Sequence, residues 1–231
     1  MNAAPRALMP ADNRDLVAAL GAGTAALLVI DVQNDFCHPH GAMAAQGADV
    51  SANIALVPRV CEFVDLVRSI GGLIVFVQLM RSDEFPPLPV RGVPPAGVCS
   101  SGSWGAQLAD GLDAGPTDLV VHKRTYSAFL GTDLELRLRA AGVDTLLTAG
   151  TTANVCVDST VRDAAQRGFA VVLLEDLVGY VRRDLAEASL TNLGLYFADV
   201  RNSHPLAMLL VGGRSGGPGS GGQNGQPANS P

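Results

Sequence analysis

Three residues lying far apart in the chain, Asp31, Lys123 and Cys156, have side chains that together could carry out covalent catalysis. A free thiol has a pKa near 8.5, so only about 3% is thiolate at pH 7. Cys156 falls in the first turn of an expected helix, where unpaired N–H groups and the helix dipole favour an anion, and a nearby lysine ammonium acts in the same direction. The carboxylate of Asp31 is suited to take the thiol proton and hand it later to a leaving amine, with Lys123 fixing the orientation and charge state of that carboxylate. Backbone N–H groups of the turn from Thr151 and Thr152 to Cys156 are the candidate oxyanion hole. The chemistry this implies is acyl transfer to a cysteine followed by hydrolysis.

Such a trio works only if the fold carries the three residues to one place. Short, nearly continuous apolar runs at 24–31, 72–78, 117–122, 144–150 and 169–176, with a weaker one at 197–202, have the pattern of strands buried on both faces. Amphipathic segments at 52–70, 132–141, 154–167, 184–196 and 203–210 alternate with them. Thr132 with Glu135, and Asp184 with Glu187, have capping-box spacing, Ser203 stands where an N-cap before Pro205 belongs, and Gly142 and Gly168 fall just past helix ends. Regular strand–helix alternation predicts an α/β fold: a single doubly wound, Rossmann-like, three-layer α/β/α domain with a mostly parallel sheet of about six strands. In such sheets ligands bind beyond the carboxyl ends of the strands, where the strand order reverses. Asp31 ends the first strand, Lys123 follows the third, and the fourth runs into the segment that contains Cys156. Residues 81–117, rich in Pro and Gly and holding Trp104, form the main irregular insertion, of a length often found in binding loops.

Composition bounds the function classes. The 231 residues are 48% hydrophobic and only 16% charged, below the ~25% charged residues usual for globular proteins. The longest apolar runs are far shorter than the ~20 residues a membrane span requires, so the surplus belongs in a covered sheet or a subunit interface. A net charge of −6 with no basic run argues against nucleic acid or anionic lipid as a partner. Asp12, Asp15 and Pro10 interrupt what would have to be a signal peptide's apolar core, which makes the cytoplasm the expected location. Cys37, Cys61, Cys99 and Cys156 have no CxxC spacing and read as reduced thiols, the first three structural. The division expected is an N-terminal arm over 1–23, a folded domain over 24–211 and a disordered tail over 212–231. Eight glycines and three prolines stand in the last twenty residues, too little apolar surface to offset the entropy of ordering.

LLVIDVQNDF (27–36), HKRTYSAFLGTDLELRLRAAG (122–142) and GTTANVCVDSTVRDAAQRGF (150–169) closely resemble the isochorismatase-like cysteine hydrolase family, a resemblance that extends over about residues 24–210. It implies that Asp31, Lys123 and Cys156 are the catalytic triad and that a non-proline cis peptide joins Thr151 and Thr152. It also implies a homo-oligomer, dimer or tetramer, acting on a small molecule. Metal-dependent nicotinamidases of that family use an Asp-x-His arrangement after strand two, whereas here the strand leads into QLMRSDEFPP, with Asp83 and Glu84 but no histidine. His38 and His40 lie on a loop and read as solvated, so neither a metal nor another cofactor is expected.

The remaining family chemistries are vinyl ether hydrolysis of isochorismate and C–N cleavage of linear ureido, carbamoyl and amide compounds. A vinyl ether route needs no cysteine nucleophile, so Cys156 favours C–N cleavage, and VCSSGSWGAQL (98–108) looks most like the ureidoacrylate and N-carbamoyl amidohydrolases. Leu193 stands where members specialised for biuret have glutamine. Gln78 and Arg81 are candidate anchors for a carboxylate or ureido group, and Phe36, Trp104 and Phe129 are candidate pocket residues. The competing readings are the vinyl ether hydrolase and a non-catalytic thiol sensor or binding module on the same sheet.

Overall fold

The computed structural model describes residues 12–82 and 97–213. Six strands, β1 (Ala25–Ile30), β2 (Leu73–Leu79), β3 (Leu119–Lys123), β4 (Thr145–Gly150), β5 (Ala170–Val178) and β6 (Asp199–Arg201), form one parallel sheet in the order 3-2-1-4-5-6. The period-two alternation of side chains divides β1 cleanly. Leu27 and Val29 face one core with Ile74, Phe76, Leu147 and Val172; Ala26, Leu28 and Ile30 face the other with Val75, Val77, Leu146 and Val171. Both faces are covered by helices, which is why the strands read as continuous apolar runs.

On the first face lie α1 (Asn13–Gly21), α4 (Ser51–Ser69) and α8 (His204–Gly213), and on the second α5 (Leu134–Ala140), α6 (Asp158–Gln166) and α7 (Arg183–Tyr196); two short helices, α2 (Asn34–Cys37) and α3 (Ala42–Ala45), follow β1. Of the expected N-terminal arm, residues 13–21 form a helix packed on the sheet, and residues 1–11 lie outside the described residues. Asp12 caps α1 by accepting from the N–H groups of Arg14 and Asp15, and Leu16, Ala19 and Leu20 are buried in the core with Leu206 and Leu210. The tail lies outside the described residues from 214 onward, and so does part of the insertion, residues 83–96. Among the described residues no helix is long and apolar enough to cross a membrane.

Two expected caps are built differently. Asp184 lies inside α7 and pairs with Arg182, because the strong guanidinium–carboxylate fork outcompetes a backbone N–H. Thr132 accepts from Leu134 N–H and donates to Ala128, while Glu135 turns to Arg167 instead of closing the box. Ser203 directly precedes α8, and its hydroxyl donates to Asp176 at the end of β5. Gly142 and Gly168 do adopt the left-handed conformation expected of them.

Gly150 is the tightest point of the sheet. It has φ 126° and its α-carbon lies so close to the Ile30 backbone that any Cβ would overlap it. Gly150→Ala is therefore expected to destabilise the protein by roughly 3 kcal/mol or more, read as a lower urea midpoint with an unchanged slope; a midpoint within error of the parent would contradict this account of the β1–β4 junction.

Candidate active site

The sheet order reverses between β1 and β4, and this is where Asp31 and Cys156 emerge. Asp31 follows β1 directly and has φ 50°, a left-handed conformation that Asp tolerates better than most residues. Its backbone is held on both sides: the N–H donates to Val77 at 2.8 Å, and the carbonyl accepts from the Thr151 hydroxyl at 2.9 Å. Lys123 is the last residue of β3, registered with Leu79 of β2. Its ammonium lies 2.7 Å from Asp31 Oδ2 and donates to the Thr125 carbonyl at 2.9 Å and to Cys156 Sγ at 3.4 Å. The Asp31 and Lys123 residues are both 0% exposed.

Cys156 sits within a π-helical turn, Ala153–Val157, that precedes α6. Such wide turns concentrate at functional sites because they rotate a side chain away from the helical stripe. The β4–β5 register slips after Thr148, bringing Val178 opposite Gly150, and the carbonyl of the next residue, Gly179, accepts from Ala153 N–H at 2.9 Å. The Thr151–Thr152 peptide is cis, at the bond the resemblance indicated.

The electrostatics differ from the expectation that helix dipole and lysine lower the thiol pKa. Burial, together with the adjacent Asp31 carboxylate, pushes Cys156 up to about 12, outweighing the opposing pull of Lys123. The physical reason is that a thiolate here would be a second anion beside a buried first one. Burial also raises the Asp31 pKa, against the pull of Lys123 and a hydrogen bond from Cys156, while the charge of Asp31 keeps Lys123 above the ordinary lysine value despite its burial. The resting site is therefore a neutral thiol that accepts from Lys123, beside a carboxylate made more basic by its surroundings.

The expected oxyanion donors separate. Thr151 N–H is committed to Ile30 O at 2.8 Å, so Thr151 positions Asp31 instead of offering a donor. Thr152 N–H takes no backbone acceptor among the described residues, and Thr152 lines a cavity of about 260 Å³ with Cys156 at its base. Of the candidate pocket residues, Phe36 and Arg81 line this cavity. Gln78 does not; it is buried and donates to the Ala106 carbonyl, bracing the later part of the insertion. Phe129 packs against Phe169 in the core, and Trp104 is 43% exposed and edge-on to His38, neither of them on the cavity wall.

Residues that motif spacing did not single out complete the walls: Met43, Leu79, Val155, Val181 and Leu185 supply apolar surface, and Arg124, Tyr126, Asn154 and Arg182 supply polar groups. Arg124 stood beside Lys123 in the sequence and was the nearest to a readable signal. Behind the walls, the buried Asp35 carboxylate accepts from Ala42 N–H and, at 2.6 Å, from Cys99 N–H, with Gly105 packed directly on it. Gln33 stitches β2 to the same loop through Leu79 and Ala106. The SAF residues at 127–129 anchor the segment after Lys123 to α6: Ser127 donates to Asp163 and Ala128 N–H to Thr160. Cys37 and Cys99 are buried, with burial raising both thiol pKa values, and Cys61 is partly buried. His40 is exposed and its N–H donates to His38 Nδ1. Asp83 and Glu84 lie outside the described residues, and among the described residues no three potential ligands cluster to hold a metal.

A family model described as the isochorismatase domain matches residues 25–204. The chain is 32% identical over 197 residues to the ureidoacrylate amidohydrolase RutB of Methylobacterium radiotolerans, covering 78% of this chain and 76% of that protein. Among solved structures it is similar to a cysteine hydrolase from Pseudomonas syringae pv. phaseolicola 1448A, with a TM-score of 0.74 and 23% identity, over 90% of this chain and 99% of that one. It is also similar to the N-carbamoylsarcosine amidase from Thermoplasma acidophilum, with a TM-score of 0.64 and 27% identity, over 78% of this chain and 96% of that one.

Removing one member of the buried ion pair leaves the other uncompensated. Lys123→Met is expected to cost about 3–5 kcal/mol at pH 7. Because the folded-state pKa of Asp31 is raised above 3.8, the folded protein takes up a proton that the unfolded chain does not as pH falls through that window. The cost should therefore shrink as the pH is lowered toward 3.8, and a cost independent of pH in urea titrations would contradict an ionised, buried Asp31.

Proposed function

The chain belongs to the isochorismatase family, and from that premise we propose that it is a cysteine amidohydrolase cleaving a C–N bond of a small ureido, carbamoyl or amide substrate. The observation that carries this reading is the hydrogen-bonded contact of Asp31, Lys123 and Cys156 at the base of a cavity sized for a small molecule. The similarity to a ureidoacrylate amidohydrolase and an N-carbamoylsarcosine amidase supports the same bond type.

The raised thiol pKa dictates how the first step runs. Cys156 does not wait as a thiolate; its proton passes to Asp31 as Sγ attacks the substrate carbonyl carbon, so that one anion replaces another and Lys123 is never without a counter-charge. The oxygen of the tetrahedral intermediate takes up the negative charge, and Thr152 N–H is the candidate donor to it. Collapse breaks the C–N bond, with the proton on Asp31 going to the departing nitrogen, and leaves a thioester on Cys156. Asp31, again a carboxylate, takes a proton from water, whose oxygen attacks the thioester; the acid or carbamate departs and the proton returns to sulfur. No step in this sequence calls for a metal.

Cys156→Ala is expected to lower kcat at least ~1000-fold without loss of secondary structure by circular dichroism. Ammonia release across N-carbamoyl amino acids, ureido acids, biuret-type compounds, nicotinamide and simple amides measures it. Pyruvate release from isochorismate without any ammonia from this panel would instead establish vinyl ether chemistry. Since Asp31 must be ionised to accept the thiol proton, kcat/KM should fall on the acid side at a pH above the ordinary carboxylate value of 3.8. Dialysis against a chelator should leave turnover unchanged, and activity restored to a dead chelated enzyme by added metal would overturn the metal-free mechanism.

A further inference from the structure

The cavity over Cys156 has a charge character opposite to that of the protein. The whole chain carries a net charge of −6, yet among the described residues three guanidinium groups, Arg81, Arg124 and Arg182, line the cavity and no Asp or Glu does. Beneath it, Asp31 and Lys123 contribute one charge of each sign and cancel. Arg182 is tied outward, its Nε and Nη2 both bound to the exposed Asp184. Arg124 differs: it is partly buried on the wall, and among the described residues no hydrogen bond or ion pair engages its guanidinium. Arg81 is only 7% exposed, and burial weakens its hold on its proton, though a guanidinium stays charged at any physiological pH.

Apolar neighbours such as Leu79 and Val155 lower the local dielectric, which strengthens the action of a partly buried cation such as Arg124 on whatever enters. A neutral amide leaves the Arg124 guanidinium uncompensated. A carboxylate on the substrate, away from the scissile carbonyl, supplies the missing charge and fits the fork of an arginine. We propose that the cavity selects substrates bearing a carboxylate, with Arg124 as the residue that discriminates acids from neutral amides. The proposal rests on Cys156 being the nucleophile and narrows its substrates to ureido or N-carbamoyl acids.

Two alkylating reagents of nearly equal size, iodoacetate and iodoacetamide, differ in that one is an anion, and they read the cavity without requiring turnover. Rates of Cys156 carboxymethylation and carbamidomethylation, followed by peptide mass and referred to the same rates for glutathione, are expected to favour iodoacetate by about fivefold or more. Arg124→Gln should remove most of that preference, Arg124→Lys should keep much of it, and Arg59→Gln, an exposed arginine remote from this cavity, should leave it unchanged. A ratio no higher than that of glutathione, or one unaffected by Arg124→Gln in a variant with parental melting behaviour, overturns the charge selectivity. No modification of Cys156 by either reagent overturns the nucleophile reading and the proposal with it. A parallel comparison of N-carbamoylglycine with its primary amide separates the two ideas. Hydrolysis of the amide in preference to the acid sinks the selectivity and leaves the amidohydrolase standing, whereas a high alkylation ratio with no hydrolysis of any panel compound does the reverse.

Discussion

A lysine ammonium and an aspartate carboxylate, both withdrawn completely from water and 2.7 Å apart, set the terms for everything around them. Taking two such charges out of water is expensive, and their attraction offsets the cost only when the remaining donors and acceptors are also satisfied. Here the Thr125 carbonyl and the Cys156 thiol occupy the rest of the ammonium. The pair cannot tolerate looseness, and the sheet does not allow any. Asp31 is pinned through its own backbone to β2 and to Thr151, Lys123 is fixed as the last residue of a strand, and the turn bearing Cys156 hangs from Gly179.

The same constraint accounts for the form of the proposed chemistry. A thiol beside a buried carboxylate is a weak acid, and a carboxylate in that setting is a better base than usual. The two shifts suit a site in which a proton passes between sulfur and oxygen as a bond forms, so that the number of charges in the low-dielectric floor stays constant throughout. The cationic walls above that floor are a separate device. In the proposed reading they act on the substrate as it binds, whereas the ion pair acts on the proton, and the two are divided between different residues on the same short segment, Lys123 turned inward and Arg124 lining the wall.

Much of the polar motif chemistry turns out to be structural. Asp35, Gln33 and Ser127 belong to the most recognisable parts of the chain, yet each is spent on backbone amides, carbonyls or a neighbouring helix. Their role is to hold three loops at fixed distance from the strand ends. Gln78 is of the same kind: a polar residue at a strand mouth has the look of a ligand anchor, but a loop carbonyl claimed it first.

The sequence by itself determined the alternation of strands and helices, the burial of the sheet on both faces, and the identity of the aspartate, lysine and cysteine that meet at its switch point. The first two follow from local periodicity, written in neighbouring positions; the trio follows from residue types at strand ends together with the resemblance of the motifs around them to a known family. It could not decide the sign of the thiol pKa shift, because that depends on burial in the folded core and on a carboxylate 125 positions away in the chain. Nor could it separate Arg81 and Phe36, which reach the cavity, from Trp104 and Phe129, which do not: all four lie in loops or after strands, and only packing sets which way each side chain turns. The helix at 13–21 was hidden for a related reason, since its short apolar stripe becomes meaningful only against Leu206 and Leu210 at the far end of the chain. What the tertiary structure decided, in each case, was the partner, and with it the energy of the group.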